Sequence, residues 1–267
     1  MEDTPLRGRV AIVTGAAGLL GRRQCAALAN AGATVYACDR HAAQARKVAE
    51  QVGQPHVGAY LDVVDGESIM ELRDLILTEH GRIDILVNNA ALNDAVENPL
   101  VGAQESAFEN YPVQLFRSVM DVNVTGTFLM SQIIGTVMAE QQRGSIVNVA
   151  STYGVVAPDQ RIYQDANGQQ TMYKGAAYPA SKAAVLMLTQ YIATYWGSVG
   201  VRANALSPGG IYNGQSDVFA ERYAQRTPLG RMASPNDYDG ALVFLASDAS
   251  AYMTGHNLIV DGGWTAW

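Results

Sequence analysis

The stretch TGAAGLLG, Thr14 to Gly21, decides how the rest of the chain is read. It follows the apolar run Val10-Ala11-Ile12-Val13 and precedes a helix-like stretch, Arg22 to Asn30. Small residues between a strand and a helix let the backbone approach a phosphate, and the helix N-terminus offers free N–H groups and partial positive charge. In such a loop Gly15 makes the turn, Gly18 allows close approach and Gly21 lets the helix lie on the strand, with Leu19 and Leu20 between the last two glycines. The spacing G-x-x-G-x-x-G is not the usual dinucleotide spacing, so on these residues alone a tight turn without a ligand stays open.

Outward from this loop, short apolar runs alternate with longer amphipathic stretches. The pattern predicts strands over Val10–Thr14, Thr34–Cys38, His56–Leu61, Ile83–Asn88, Gly144–Ala150, Val201–Leu206 and Asn257–Val260. It predicts helices over Leu20–Gly32, Ala42–Val52, Gly66–His80, Pro112–Gln142, Ala180–Gly197 and Asn236–Ala246. Runs such as IDILVNNA and GSIVNVA are continuously apolar, as strands covered on both faces must be. Repeated strand–helix–strand units call for an α/β fold: a doubly wound parallel sheet with helices on both faces. No linker interrupts the pattern, which predicts one domain over residues 1–267. Ligands of such folds bind beyond the carboxyl ends of the strands. Two segments in those positions are long, Ala91–Tyr111 and Tyr153–Gly175.

Composition narrows the function classes. A net charge of −7 without any Lys/Arg block carries no electrostatic footprint for nucleic acid or an anionic membrane, leaving a small molecule as the expected partner. The start, MEDTPLRG, has no apolar core of a targeting segment, and no run approaches the 18 apolar residues of a spanning helix, so a soluble, cytoplasmic protein is expected. Cys25 and Cys38 fit no metal-ligand spacing and read as buried thiols in a reducing compartment; no metal site is expected.

Asp39, at the end of the second predicted strand and 24 residues beyond Gly15, stands where an acidic side chain accepts hydrogen bonds from the adenosine ribose hydroxyls of NAD. A 2′-phosphate within ~4 Å of it would meet repulsion of about 4 kcal/mol per charge at an effective dielectric near 20, which favours NAD over NADP. Arg40 is the competing signal, since it can accept that phosphate if Asp39 turns away. Further on, YPASK places Tyr178 and Lys182 four apart, on one face of a helix. A cation beside a phenol stabilises the phenolate, and such a tyrosine serves as acid or base near neutral pH.

These segments come in a fixed company: TGAAGLLG, Asp39, LDV (Leu61–Val63), NNA (Asn88–Ala90), DVNVTG with Asn123, VNVAS ending at Ser151, YPASK, SPGGI (Ser207–Ile211) and VDGG (Val260–Gly263). In that order, and over essentially the whole chain, they resemble a short-chain dehydrogenase/reductase. The resemblance implies a Rossmann-type seven-stranded sheet, a nicotinamide cofactor and a Ser-Tyr-Lys-Asn tetrad. In it Tyr178 exchanges a proton with the substrate oxygen, Ser151 hydrogen-bonds that oxygen, Lys182 holds the nicotinamide ribose, and Asn123 anchors a proton-relay water. It likewise implies that Asp62 and Val63 flank the adenine, that Asn89 and Ala90 line the cofactor floor, and that Pro208, Gly209 and Ile211 meet the nicotinamide side. Leu19 departs from the family's common T-G-x-x-x-G-x-G loop, standing where its middle glycine would be, and so leaves the backbone contacts of the loop undefined.

The step of 27 residues from Ser151 to Tyr178 is longer than most family members have, so an insertion near 157–175 is expected beside the active site, with a substrate lid near 211–232. This insertion, with the segments around it, resembles a group of short-chain dehydrogenases associated with bacterial surface-sugar and nonulosonic acid pathways. Tyr153, Arg161, Tyr163 and Tyr173 offer the hydrogen bonds that a polyhydroxylated substrate needs, and Arg161 is either a phosphate clamp or a solvated charge. The expected activity is hydride transfer between NAD and a secondary alcohol or ketone of a sugar or polyol derivative. The alternatives are a reductase of acyl or lipid ketones, such as 3-oxoacyl or hydroxysteroid substrates, and a nucleotide-sensing scaffold. The helix AAVLMLTQYIATYW is apolar around much of its circumference and predicts a subunit interface, as in the family's homodimers and homotetramers, with Trp264 and Trp267 pinned into a neighbour.

Overall fold

The computed structural model describes residues 4–93 and 102–267. Residues 94–101 of the long segment Ala91–Tyr111, and residues 1–3 of the start, lie outside the described residues. Seven strands, β1 (Val10–Thr14), β2 (Thr34–Asp39), β3 (Val57–Tyr60), β4 (Ile85–Asn88), β5 (Gly144–Val149), β6 (Val201–Pro208) and β7 (Asn257–Val260), form one sheet. Their order is β3-β2-β1-β4-β5-β6-β7, and every adjacent pair is parallel. The chain reverses its winding between β1 and β4, which opens a crevice at the carboxyl ends of those two strands.

The alternation of side chains along each strand feeds two cores. Ala11 and Val13 of β1 point with Val35, Ile85 and Val147 to one face, covered by α1 (Leu19–Asn30), α2 (Ala42–Val52) and the late helix Asp239–Ala246. Val10 and Ile12 point with Tyr36, Leu86 and Ile146 to the other, covered by α3 (Gly66–His80) and by the long helical segments described next. Both faces are dry, which is why the strands read as unbroken apolar runs. Cys25 and Cys38 are free and buried, and burial pushes the Cys25 thiol up to about 12. They are inert side chains of the core.

The stretch expected as one helix over Pro112–Gln142 is three pieces: α4 (Val113–Met120), a π-helical turn (Asp121–Gly126) and α5 (Thr127–Glu140). By length and composition this helix is apolar enough to cross a membrane, although polar residues interrupt its apolar run. Half of its apolar window is nonetheless buried in the protein, with Met130, Ile134 and Met138 packed on the sheet. The π turn widens the helix at Asn123, whose carbonyl accepts from the Thr127 hydroxyl at 2.7 Å while the side chain turns inward.

Three more helices follow: α6 (Ala177–Trp196), α7 (Asp217–Arg226) and α8 (Asp239–Ala246). Helix α6 starts earlier than its periodicity predicts. Helix α7, inside the expected lid, has too polar a sequence to announce itself. It forms because Ser216 caps it and because Phe219 and Tyr223, one turn apart, pack into a small cluster with Ile162, Met232 and Trp264. The last predicted helix divides into a 3-10 turn, Pro235–Tyr238, and α8.

Close packing makes β3 a sensitive point. A Cβ on Gly58 would lie 2.3 Å from the Arg46 Cα in α2, where only backbone could yield. Gly58→Ala should therefore lower the stability by about 1–3 kcal/mol and the thermal midpoint by several degrees, read by calorimetry. An unchanged midpoint would show that α2 slides on the sheet freely.

Candidate active site

The glycine-rich loop is built by exclusion. Gly15 adopts φ +63°, and a Cβ there would lie 2.8 Å from the Ala90 Cα. On Gly21 a Cβ would lie 2.2 Å from the Gly15 carbonyl oxygen. The Gly18 N–H closes a turn onto the Gly15 carbonyl at 3.1 Å, and helix α1 begins at Leu19 with no side chain capping it. The first N–H groups of α1 thus keep no partner within the helix and face outward at the crevice. Leu19 is half-exposed at the helix start, so the missing glycine is replaced by a turn closed one residue earlier.

Thr14 ties this loop to β4. Its hydroxyl accepts from the Asn89 N–H at 3.0 Å and the Ala90 N–H at 2.9 Å, and the Asn89 side chain donates to the Thr14 carbonyl at 2.9 Å. On the other side, Asp39 accepts from the Ala17 N–H at 3.1 Å and from the His41 N–H at 2.9 Å. The result is a cleft of ≈ 490 Å³. Of the residues expected to hold a cofactor, Gly15, Gly18, Leu19, Leu20 and Gly21 line it on the loop side. Asp39, Arg40, Asp62, Val63, Asn89 and Ala90 line it along the strand ends. Pro208, Gly209 and Ile211 do not: Pro208 ends β6, Gly209 borders a separate cavity of ≈ 190 Å³ with Tyr223 and Tyr238, and Ile211 bridges to Ala233.

The four residues of the expected tetrad converge through a buried chain of contacts. The Asn123 amide accepts from the Leu92 N–H at 2.7 Å and donates to the Ser181 hydroxyl at 2.9 Å, which donates to the Tyr178 carbonyl at 2.8 Å. The Lys182 ammonium is buried, donates to the Val149 carbonyl at 2.7 Å and lies 5.6 Å from the centre of the Tyr178 ring. Burial, then the charge of Lys174, pulls Lys182 down to about 8. Ser151, two residues after Val149, accepts from the Tyr153 N–H at 3.1 Å. The assembly sets a phenol ring beside a buried cation, a pairing suited to proton transfer.

The insertion is folded, not an open loop. Gln160 holds Lys174 by both its backbone groups, accepting from the N–H at 2.9 Å and donating to the carbonyl at 3.1 Å. Tyr153 and Tyr163 bring their hydroxyls within 3.4 Å of each other, and the Tyr173 N–H donates to the Ser106 hydroxyl at 2.8 Å. Arg161 is the solvated charge of its two readings: its fork is taken by Asp159 at 2.9 and 2.8 Å, and its side chain is 80% exposed. The insertion docks on α7, where Arg222 donates to the Arg161, Gln164 and Asp165 carbonyls and Arg226 pairs with Asp159. Trp264, expected to reach a neighbour, is instead buried in its own chain, stacked 4.2 Å from Tyr223; Trp267 is exposed and donates to the Arg226 carbonyl.

Comparison with known proteins agrees with this geometry. Residues 15–265 match the family model described as enoyl-(acyl carrier protein) reductase. The D-threitol dehydrogenase of Mycolicibacterium smegmatis is 36% identical, over 98% of this chain and 95% of its own length. This chain belongs to the short-chain dehydrogenase/reductase family. Within the family, the 3-oxoacyl-(acyl-carrier-protein) reductase of Thermotoga maritima is 35% identical over 97% of this chain and 98% of its own. A solved gluconate 5-dehydrogenase of Burkholderia cenocepacia, in complex with NADP and tartrate, superposes with a TM-score of 0.85 at 29% identity, covering 100% of this chain and 98% of that one. As a short-chain dehydrogenase/reductase the protein is a nicotinamide-dependent oxidoreductase acting on alcohols.

Sequence reasoning passed over Thr14, Asn93, Lys174, Arg222 and Arg226. Lys174 had a signal: it precedes Tyr178 by four residues, as Lys182 follows it by four. Its ammonium lies 4.2 Å from the centre of the Tyr178 ring and bonds the Asn93 side chain. The Thr14 hydroxyl gives a direct test of the loop. Thr14→Val removes the acceptor of the Ala90 N–H, while the Asn89 N–H keeps the Val87 carbonyl at 3.1 Å; it should cost about 1–3 kcal/mol of stability and weaken NADH binding, with Thr14→Ser restoring both. Equal stability and affinity in Thr14→Val, by calorimetry and titration, would remove Thr14 from the loop's support.

Proposed function

We propose that this short-chain dehydrogenase/reductase transfers hydride between NAD and a secondary alcohol or ketone of a sugar or polyol derivative. The observation that carries the substrate class is the polar wall beside Tyr178, where Lys174, Asn93, Tyr153 and Tyr163 gather with their hydrogen-bonding groups. Such a wall offers an acyl or lipid ketone little apolar contact, whereas the hydroxyls of a sugar or polyol can join its hydrogen bonds. The names of relatives support the same class, since one acts on threitol and a structural neighbour on gluconate. A relative named as a 3-oxoacyl reductase keeps the acyl alternative in the test.

In this reading Tyr178 passes its phenolic proton to the ketone oxygen in reduction and takes the proton back in oxidation. Ser151 donates a hydrogen bond to the same oxygen, fixing it against the phenol. Lys182 stabilises the phenolate by its charge, and Asn123 holds the turn from which protons pass to solvent. The uncapped N-terminus of α1 and the glycine loop cradle the pyrophosphate, while Asp62, Val63, Asn89 and Ala90 border the adenine and the floor of the cleft. The bound nicotinamide supplies the hydride acceptor or donor. Pro208, at the end of β6, with Gly209 and Ile211 just beyond it, would meet the nicotinamide side of a bound cofactor.

The Asp39 carboxylate supports NAD. It is buried, is held in place by two backbone N–H groups, and repels the extra phosphate of NADP, whereas Arg40 is exposed. Segment 211–232, with α7, is the proposed lid over the substrate. The exposed row Met187, Tyr191 and Tyr195 on α6 supports a homodimer or homotetramer, and two buried thiols fit a reducing cytoplasm.

Titration calorimetry should show NADH binding at least about tenfold tighter than NADPH, a gap of about 1.4 kcal/mol that Asp39→Ala narrows. Equal affinities would overturn the NAD assignment. NAD reduction against sugars, sugar phosphates, polyols and hydroxyacyl esters should select the hydroxylated substrates; preference for the esters would transfer the protein to the acyl branch. With the selected substrate, Tyr178→Phe should lose at least about 100-fold in kcat while NADH affinity holds. Retained turnover would require another proton donor.

A further inference from the structure

Two lysines bracket one tyrosine. The Lys182 ammonium lies 5.6 Å from the centre of the Tyr178 ring, and the Lys174 ammonium, from the last residues of the insertion, lies nearer at 4.2 Å. Lys174 is 6% exposed; among its contacts, its ammonium bonds the Asn93 side chain, and Gln160 holds its N–H at 2.9 Å and its carbonyl at 3.1 Å. A lysine so deeply placed, held by its backbone and aimed at an aromatic face, is part of a built site.

We propose that Lys174 is a positioning residue for proton transfer: held by Asn93 and Gln160 over the Tyr178 ring, it acts with Lys182 to favour the ionised phenol. The inference rests on the reading of Tyr178 as the proton-transfer group. A phenolate spreads its charge into the ring, so a cation over the face stabilises it more than it stabilises the neutral phenol. The step is only Tyr178–OH giving Tyr178–O⁻ and a proton; no electrons move. The same charge works against the other lysine. Burial first, and Lys174 second, lower Lys182 to about 8, so the two cations set the two ends of the working pH range together. Beside Tyr178, the buried Tyr153 phenol feels Tyr163, Tyr178 and Asp159, on the segment between Ser151 and Tyr178.

The test needs no substrate. Tyrosinate absorbance is titrated in the wild type and in Tyr178→Phe, and the difference isolates Tyr178 among 13 tyrosines. Burial pushes Tyr36, Tyr223 and Tyr238 up, which keeps their ionisation apart from a phenol held low by cations. The same pair of titrations is run with Lys174→Met. The Tyr178 midpoint should rise by about two pH units, the shift expected for removal of one charge several ångströms away at an effective dielectric near 20. Lys174→Arg, which keeps the charge, should hold the midpoint near the wild-type value. Lys174→Gln gives the neutral comparison if Lys174→Met does not fold. An unchanged midpoint in a folded neutral variant, or an equal rise in Lys174→Arg, would overturn the proposal. Where turnover is measurable, both limbs of the kcat/KM profile should move to higher pH in Lys174→Met. A sugar panel that yields no activity would count against the substrate reading and leave the titration result standing.

Discussion

The approach of α1 to the end of β1 is the constraint on which the rest of the site depends. No side chain fits between Gly21 and the Gly15 carbonyl, since a Cβ would stand 2.2 Å from that oxygen. The helix can therefore lie against the loop and present its uncapped end to the crevice. Gly15 makes a second close approach, to Ala90 beyond β4, and Thr14 stitches the two strand ends with its hydroxyl. The cleft is the space left over when β1 and β4, neighbours in the sheet whose crossovers pass to opposite sides, are tied at their ends.

A second set of buried polar contacts locates α6 on the sheet and so aims Tyr178. Asn88 of β4 donates to Asn148 of β5 at 2.8 Å, and Asn148 donates to Thr189 of α6 at 2.8 Å. Lys182 adds the Val149 carbonyl, and Asn123, at the π turn, adds Ser181. Polar pairs in a dry interior specify one register, because any slip would leave a donor without water or partner. The helix that carries Tyr178 is thus located by polar contacts buried between it and the sheet.

Much of this was legible in the sequence, for identifiable reasons. The strands announced themselves because both faces of the sheet are dry, and the site residues because the family's motifs stand at strand ends. Boundaries shifted where tertiary contacts overrule periodicity: the π turn at Asn123 appears as ordinary helix in the pattern, and α6 gains its first turn from packing around Tyr178. Helix α7 stayed hidden because its sequence, DVFAERYAQR, is polar on all but the Phe219 and Tyr223 side. Arg161 is exposed and Lys174 is buried, a difference the pattern does not carry, since a charge in an inserted loop does not reveal whether it faces solvent or the interior. Trp264 was assigned to a neighbouring subunit because its partner, Tyr223, is distant in sequence.

The insertion, α7 and the chain end form one folded unit, and this changes what the insertion means. Arg226 pairs with Asp159 of the insertion, stands 5.0 Å from the Trp264 ring and accepts the Trp267 indole N–H on its carbonyl. Arg222 occupies three insertion carbonyls, and Tyr163 packs on Phe219 at 5.3 Å. The Tyr223 hydroxyl in turn accepts the Gly210 N–H at 2.5 Å, which ties the unit to the end of β6. Arg161 and Arg226 hold the Asp159 carboxyl well below the usual carboxylate range. The pair's contribution is therefore complete above that range and fades only as the pH falls below it, so it persists at neutral pH. A segment fastened in this way cannot part from the site without breaking an ion pair, the arginine–carbonyl bonds and an aromatic contact together. The same fastening fixes the backbone of Lys174, a few residues on, and hence the distance of its charge from Tyr178. The insertion thus carries its one lysine inward to the Tyr178 ring, while its other charges hold the frame.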